Sequence, residues 1–388
     1  MIRLREGSSS EMKPFDILIV GAGIVGSAVA RECALTGWRV GVIEAGTPAG
    51  GATAAGMGHV VVMDDSPAQL ALTAFSRSLW RQESGKLPKS AEYESCGTIW
   101  VAANEEELAE VHARQKVYNK AGVEARTLTA AELAIEEPNL RLGLPGGLLV
   151  PEDSVVYPPA VARFYLAEAR RLGTEVFLAR ALSASQGKVL LSNGMNLVAE
   201  RIVLAVGVDC ELLPSLPILK RKGHLIITDR YPGFLHHQLV ELGYLKSAHK
   251  LVQDSVAFNI QPRQTGQLLL GSSRQYNNDK PEAEAEILRQ MIERAKEYMP
   301  GLEKLSALRV WTGFRAATSD KLPLIGPAEG LSQDRSLWLA AGFEGLGITN
   351  APGAARLLLD GMLGRDSAID ARPYLPARLT ESARFTHA

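Results

Sequence analysis

The chain has 388 residues, enough for one large domain or two. Its 46% hydrophobic and 22% charged content is that of an ordinary globular protein, and a net charge of −1 supplies no basic field for nucleic acid or an anionic membrane. Three widely spaced cysteines, Cys33, Cys96 and Cys210, argue against a disulfide framework, suit a reducing compartment, and are too few for an iron–sulfur cluster.

The opening MIRLREGSSSEMKP mixes charges of both signs and has no apolar run, so residues 1–14 are expected to form a flexible lead-in, not a signal peptide. DILIV (16–20) is a continuous apolar run, as in a buried parallel strand. GAGIVG follows, then a helical stretch, SAVARECALTGW, and a second buried strand, RVGVIEAG, ending near Glu44. The run across 15–30 is broken by three glycines and is too short to span a membrane.

This is a dinucleotide-binding βαβ unit. Gly21 permits a tight turn, Gly23 lets a pyrophosphate approach the backbone, and Gly26 lets the helix pack on the strand. The helix N-terminus offers free N–H groups to the phosphates, and Glu44 suits ribose hydroxyls. The unit serves NAD and FAD alike.

The next segment, AGTPAGGATAAGMGHVVV (45–62), favours FAD. Its side chains are too small for a core helix face, and small residues let a backbone lie against a large planar ligand. TEVFLARAL (174–182) and RIVLAVGVDC (201–210) read as further strands, the latter ending in a close-approach AVG. Two insertions, 85–150 and 215–305, show alternation and turn residues typical of antiparallel strands. Within the second, 281–299 reads as an amphipathic packing helix. Near the C-terminus, WLAAGFEGLGITNAPGAARLLLD is a strand, a glycine loop through Thr349, and a helix from about Asn350. Its positive end suits the charge that develops on a reduced flavin and that a nicotinamide lacks.

Four stretches then carry a family resemblance: GAGIVG…E at 21–44, GATAAGMGH at 51–59, VWTGFRAATSDKLPLIGP at 310–327 and AAGFEGLGITNAPGAARLL at 340–358. In these the chain resembles the FAD-dependent amine and amino-acid oxidoreductases of the D-amino-acid oxidase and glycine oxidase type, from about Asp16 to Gly364. AAGMGHVVVMDDSP and LLLGSSRQY look most like catalytic subunits of dye-linked dehydrogenases for D-hydroxyproline or opines. The hydrogen cyanide synthase subunit is a relative of that group. Two departures bear on the substrate: Ala316 follows Arg315 where the oxidases carry proline, and Phe343 stands where they often carry histidine.

The resemblance implies an α/β, glutathione-reductase-like FAD-binding Rossmann domain (15–84, 151–214 and 306–388) with an inserted antiparallel-sheet substrate domain (85–150 and 215–305). Non-covalent FAD is expected against Gly21, Gly23, Ile24, Val25, Gly26, Glu44 and Ala45, then Ala52, Thr53, Ala55, Gly56 and Met57. Val176, Ala205, Gly207, Gly342, Gly345, Leu346, Gly347, Ile348 and Thr349 complete that set.

The family places its carboxylate-binding arginine at Arg315. A guanidinium on an apolar stretch needs a partner, and a substrate carboxylate held bidentate is a fitting one, with a structural ion pair to Asp320 as the alternative. His59 can face the flavin or simply begin a strand. His224, Arg274, Tyr276 and Glu344 are further candidates for the pocket, while Trp311 and Trp338 read as core and Asp64-Asp65 as a solvated turn. His236-His237 and His249 lack carboxylates at ligand spacing, so no metal is expected.

These readings imply dehydrogenation of a D-amino acid or cyclic secondary amino acid, with cis-4-hydroxy-D-proline as the leading substrate and a dehydrogenase favoured over an oxidase. Opines, glycine and sarcosine are the alternatives, as is an FAD electron-transfer subunit without its own substrate. The group's habits imply small iron–sulfur or flavin partner subunits and a quinone or dye-type acceptor. The expected location is cytoplasmic, or peripheral to the inner membrane through partners.

Overall fold

A computed structural model describes residues 13–243 and 254–379; His249 lies outside the described residues, as does nearly all of the N-terminal lead-in. The first sheet orders its strands Leu324–Pro327, Leu337–Ala341, Asn196–Leu204, Phe15–Val20, Val40–Glu44 and Glu175–Leu178. All neighbours are parallel except the first pair, and the strands Ala181–Ser185 and Lys188–Leu191 extend the sheet as an antiparallel hairpin.

DILIV is continuously apolar because both faces of its strand are covered. Ile17 and Ile19 join a core with the helices Ile24–Leu35, Pro158–Arg171 and Gly347–Leu363. Leu18 and Val20 point the other way, into a core with Val189, Leu191 and Leu197 of the hairpin side.

Among the described residues the second sheet has nine strands, in the order Phe343–Glu344, Ala307–Ala317, Leu219–Arg230, Gln267–Arg274, Ser255–Pro262, Gln238–Glu241, Thr98–Ala102, Gly146–Val150 and Arg126–Thr129. Ala307–Ala317, expected with the nucleotide-binding part, belongs to this sheet instead, because it pairs with Leu219–Arg230 along most of its length. The helix Ala285–Tyr298 closes one face, placing Ile287, Met291 and Ala295 against Phe258, Ile260 and Leu270. The opposite face looks toward the first sheet and its glycine loops.

Two local expectations change. The small-residue segment after Glu44 does form a short helix, Gly51–Ala55, as its alanines favour. The C-terminal helix starts at Gly347, not near Asn350: the Asn350 N–H already bonds the Leu346 carbonyl at 2.8 Å. Residues 347–349, expected in the loop, therefore form the helix's first turn. No helix among the described residues is long and apolar enough to cross a membrane.

Candidate active site

The first glycine loop is built for close approach. Gly21 has φ +109°, and a Cβ there would lie 2.3 Å from the Ala205 carbonyl oxygen. A Cβ on Gly26 would lie 2.0 Å from the Gly21 oxygen. Glu44 accepts the N–H groups of Ala22 and Gly46, each at 2.8 Å, which leaves further lone pairs for a ligand hydroxyl. Thr53 Oγ1 takes the Ile24 N–H at 3.0 Å, so the small-residue helix is tied to the first turn of Ile24–Leu35.

A cleft of about 570 Å³ runs from this loop, past Ala205 and Gly207, to Gly342 and Gly345. The residues present fit an extended dinucleotide: Glu44 and the helix N-terminus would take one end, and the strand Ala307–Ala317 and the C-terminal loop the other. Of the residues expected to hold the cofactor, all but Val176, Leu346 and Thr349 line this cleft. Val176 packs on the core. Leu346 lines a neighbouring cavity. Thr349 is fully buried, donates to the His59 carbonyl at 3.0 Å and accepts from the Val61 N–H at 3.2 Å. It therefore pins the strand carrying His59 to the C-terminal helix.

The second sheet supplies the opposing wall. Arg315 and Glu344 line the cleft from this sheet, His59 lines it from the short strand His59–Val60, which pairs with Ser154–Val155, and the Arg315 Nη1 donates to the Ser273 carbonyl at 3.0 Å. A smaller cavity of about 70 Å³ adjoins it. The two share His59, Asn259, Glu344 and Gly345, and the smaller one adds Asp65, Arg221, Arg274 and Lys321.

Arg221 sits opposite Arg315 in the register of their antiparallel strands. Like charges so placed repel. Glu344 relieves this by accepting from Arg221, and Arg274 Nε lies 3.8 Å from the same carboxylate. Burial would raise the Glu344 pKa, but Arg274, Arg315 and Arg221 outweigh it and hold the carboxyl at about 2. Its backbone has φ +53°, a left-handed turn that costs a non-glycine residue about 1–3 kcal/mol. His59 is held at about 4, first by burial and then by the Arg315 charge, so its imidazole is neutral at pH 7.

His224 does not reach either cavity. Strand side chains alternate, so Arg221, Gly223 and Leu225 share one face while Lys222 and His224 take the other. Lys222 Nζ meets Glu284 at 2.8 Å. His224 Nδ1 bonds Ser273 Oγ at 3.0 Å, and its Nε2 accepts the Glu284 N–H at 3.1 Å. Tyr276 lines neither cavity: its ring lies beneath the Arg221 guanidinium, 4.8 Å away, and its hydroxyl bonds that same group. Asp320, the alternative partner for Arg315, pairs with Arg378 at 2.7 Å. Asp64 and Asp65 are not a solvated turn. Asp64 pairs with Arg114 and Asp65 lines the smaller cavity, because Ser66 caps the helix Pro67–Glu83 and folds the turn inward. Trp311 is half-buried and donates to the Ala55 carbonyl at 3.2 Å, tying the second sheet to the small-residue helix.

Three site residues were not singled out from the sequence: Arg221, Asn259 and Lys321. Arg221 was legible from its two-residue spacing to Gly223. Asn259 was legible as a polar residue in the apolar strand VAFNIQ. Lys321 reaches the cavity only through the tertiary fold.

The comparisons agree with this geometry. Residues 16–360 match the family described as DAO, FAD dependent oxidoreductase. The chain is 28% identical to a glycine oxidase of Pseudomonas aeruginosa, covering 93% of this chain and 98% of that one. The crystal structure of glycine oxidase from Geobacillus kaustophilus superposes with a TM-score of 0.83 at 25% identity, covering 94% of this chain and 99% of that one. One subunit of an opine oxidase from Rhizobium meliloti is 25% identical over 150 residues, 37% of this chain and 36% of that one. The glycine loops, the cleft they line and these matches agree: the chain belongs to the DAO family of FAD-dependent oxidoreductases, the group that oxidises amines and amino acids.

Proposed function

We propose that the protein dehydrogenates a D-amino acid or a cyclic secondary amino acid to the imine, with cis-4-hydroxy-D-proline as the leading substrate. The observation that carries this reading is Arg315, set in the wall of the cleft beside a cavity of about 70 Å³. FAD, held without a covalent link by the cleft that Gly21, Gly23, Glu44, Gly342 and Gly345 line, would supply the two-electron acceptor for this oxidation.

The chain's own residues do the rest by position. Arg315 receives the carboxylate as a bidentate pair, its guanidinium braced by the Ser273 carbonyl. Neutral His59 puts no charge against the amine. Val61, Met63 and Trp100 line the small cavity and keep water from that side. Glu344 and His59, held at about 2 and about 4, are poor bases at neutral pH. The amine therefore enters already neutral, and the rate comes from orientation.

The partial likeness to a protein named as a subunit of an opine oxidase supports partner subunits. We further infer that these are small iron–sulfur or flavin subunits that pass the electrons to a quinone or dye-type acceptor, so that the protein works as a dehydrogenase. It would do so in the cytoplasm or against the inner membrane through those partners. We divide the chain functionally as its two sheets suggest, with the substrate part extended to include Ala307–Ala317.

The test is anaerobic. The yellow protein is mixed with cis-4-hydroxy-D-proline, D-proline, D-alanine, sarcosine, glycine and an opine, and flavin bleaching is followed. Bleaching by a cyclic D-amino acid, slow reoxidation in air and fast reoxidation by a dye are expected. Bleaching only by glycine, sarcosine or an opine replaces the substrate. No bleaching at all moves the protein to an electron-transfer role.

A further inference from the structure

The smaller cavity is lined by two chemically different kinds of group. Arg221, Arg274 and Lys321 are hydrogen-bond donors, and Lys321 Nζ lies 3.9 Å from Asp65 Oδ2. Asn259 and Asp65 contribute acceptors: Asn259 is 6% exposed, and the Oδ1 atoms of both residues are buried with no hydrogen bond among the described residues. His59 Nε2, in the lining shared with the cleft, is also buried with no hydrogen bond among the described residues.

Such atoms select a ligand, because a buried polar atom left unpaired is costly. An ammonium can only donate and would face three cations. A second carboxylate can only accept, would leave Asn259 and Asp65 unsatisfied, and would meet Asp65 and Glu344. A methylene satisfies neither the donors nor the acceptors. A hydroxyl both donates and accepts without charge. About 70 Å³ suits a hydroxyl and the ring edge that bears it, since a water occupies about 30 Å³ in the liquid.

We infer that this cavity is a recess for a substrate hydroxyl, read by Asn259 and Asp65, so that these two residues set specificity for a hydroxylated over a plain cyclic amino acid. The hydroxyl donates to Asn259 or Asp65 and accepts from one of the three cations. Strand alternation presents Asn259 here: Phe258 and Ile260 enter the core beneath the helix Ala285–Tyr298, while Asn259 and Gln261 take the other face.

The inference rests on the amino-acid reading above, and the two fail differently. The experiment compares kcat/KM for cis-4-hydroxy-D-proline and D-proline in the wild type, Asn259→Leu and Asp65→Asn. The wild type is expected to favour the hydroxylated substrate by about tenfold or more, as sites that bond a substrate hydroxyl do. Asn259→Leu should remove most of that preference, losing about tenfold more kcat/KM on the hydroxylated substrate than on D-proline. A wild-type preference for D-proline overturns the inference, as does an equal loss on both substrates or an unchanged ratio.

A second measurement needs no turnover. Isothermal titration with tetrahydrofuran-2-carboxylate and its 4-hydroxy derivative uses ring-oxygen analogues that cannot become imines. Tighter binding of the hydroxylated analogue to the wild type, lost in Asn259→Leu, supports the recess; equal binding, or none of either, overturns it. If the wild type oxidises no amino acid yet keeps this binding preference, the proposed function fails and the recess stands. Should Asn259→Leu not fold, Asn259→Ala takes its place in both arms.

Discussion

The guanidinium of Arg315 fills the space that a side chain at Gly223 would need: a Cβ there would lie 2.5 Å from the Arg315 Nη1. The two positions are neighbours on adjacent strands, and the bare backbone of one decides where the charge of the other rests. Gly223→Ala should move the guanidinium without unfolding the sheet, since the clash is with the far end of a long side chain. We expect normal flavin content, a KM for the carboxylate substrate raised by about tenfold or more, and a smaller change in kcat. Steady-state kinetics beside the flavin-to-protein absorbance ratio checks this, and a lost flavin would contradict it.

Gly21 tests the other end of the cleft. Here the added methyl would meet a backbone carbonyl, that of Ala205, at a backbone angle of φ +109° that L side chains rarely adopt. Neither obstacle can rotate away. Gly21→Ala should purify without its yellow colour and stay colourless after incubation with excess FAD. Full flavin content in this variant would mean that the dinucleotide lies elsewhere.

Glu344 accepts from Arg221, and the charges of Arg274 and Arg315 also bear on it. Glu344→Gln keeps the shape and leaves the guanidiniums facing one another. A fall in Tm of several degrees is expected, in line with breaking a buried charge pair. Added sulfate should restore more stability to the variant than to the wild type. An unchanged Tm would show that the arginines do not depend on this carboxylate.

Acid should act on the fold through His59 before Glu344. His59 is held at about 4 against an ordinary 6.5, so as pH falls from 6.5 toward 4 the unfolded chain binds a proton that the folded chain refuses. Stability therefore drops across that window. Glu344, held at about 2 against 4.5, contributes stability that is present above pH 4.5 and lost only between 4.5 and 2. His59→Gln should shrink the difference in urea midpoint between pH 7 and pH 5, while Glu344→Gln leaves that difference unchanged. An equal midpoint difference in His59→Gln and the wild type would remove His59 from this account.

Sequence alone was enough for the two glycine loops, the parallel strands around DILIV and the FAD reading. Each depends on residues close together in the chain. Gly21, Gly26 and Glu44 lie within one βαβ unit, and their spacing is set by the rise of a strand and a turn of helix. Arg315 was also singled out, because a guanidinium following the apolar stretch VWTGF is conspicuous. What the tertiary structure decided was the company these residues keep. Alternation turned His224 away from the cleft and Arg221 into the adjoining cavity, a difference of three positions on one strand. Asp65, Asn259, Lys321 and Glu344 come from four separate parts of the chain and meet only because the second sheet folds its face over the end of the first. Local pattern records which side of a strand is apolar; which charges end up sharing a cavity depends on how the two sheets pack, and no stretch of sequence carries that by itself.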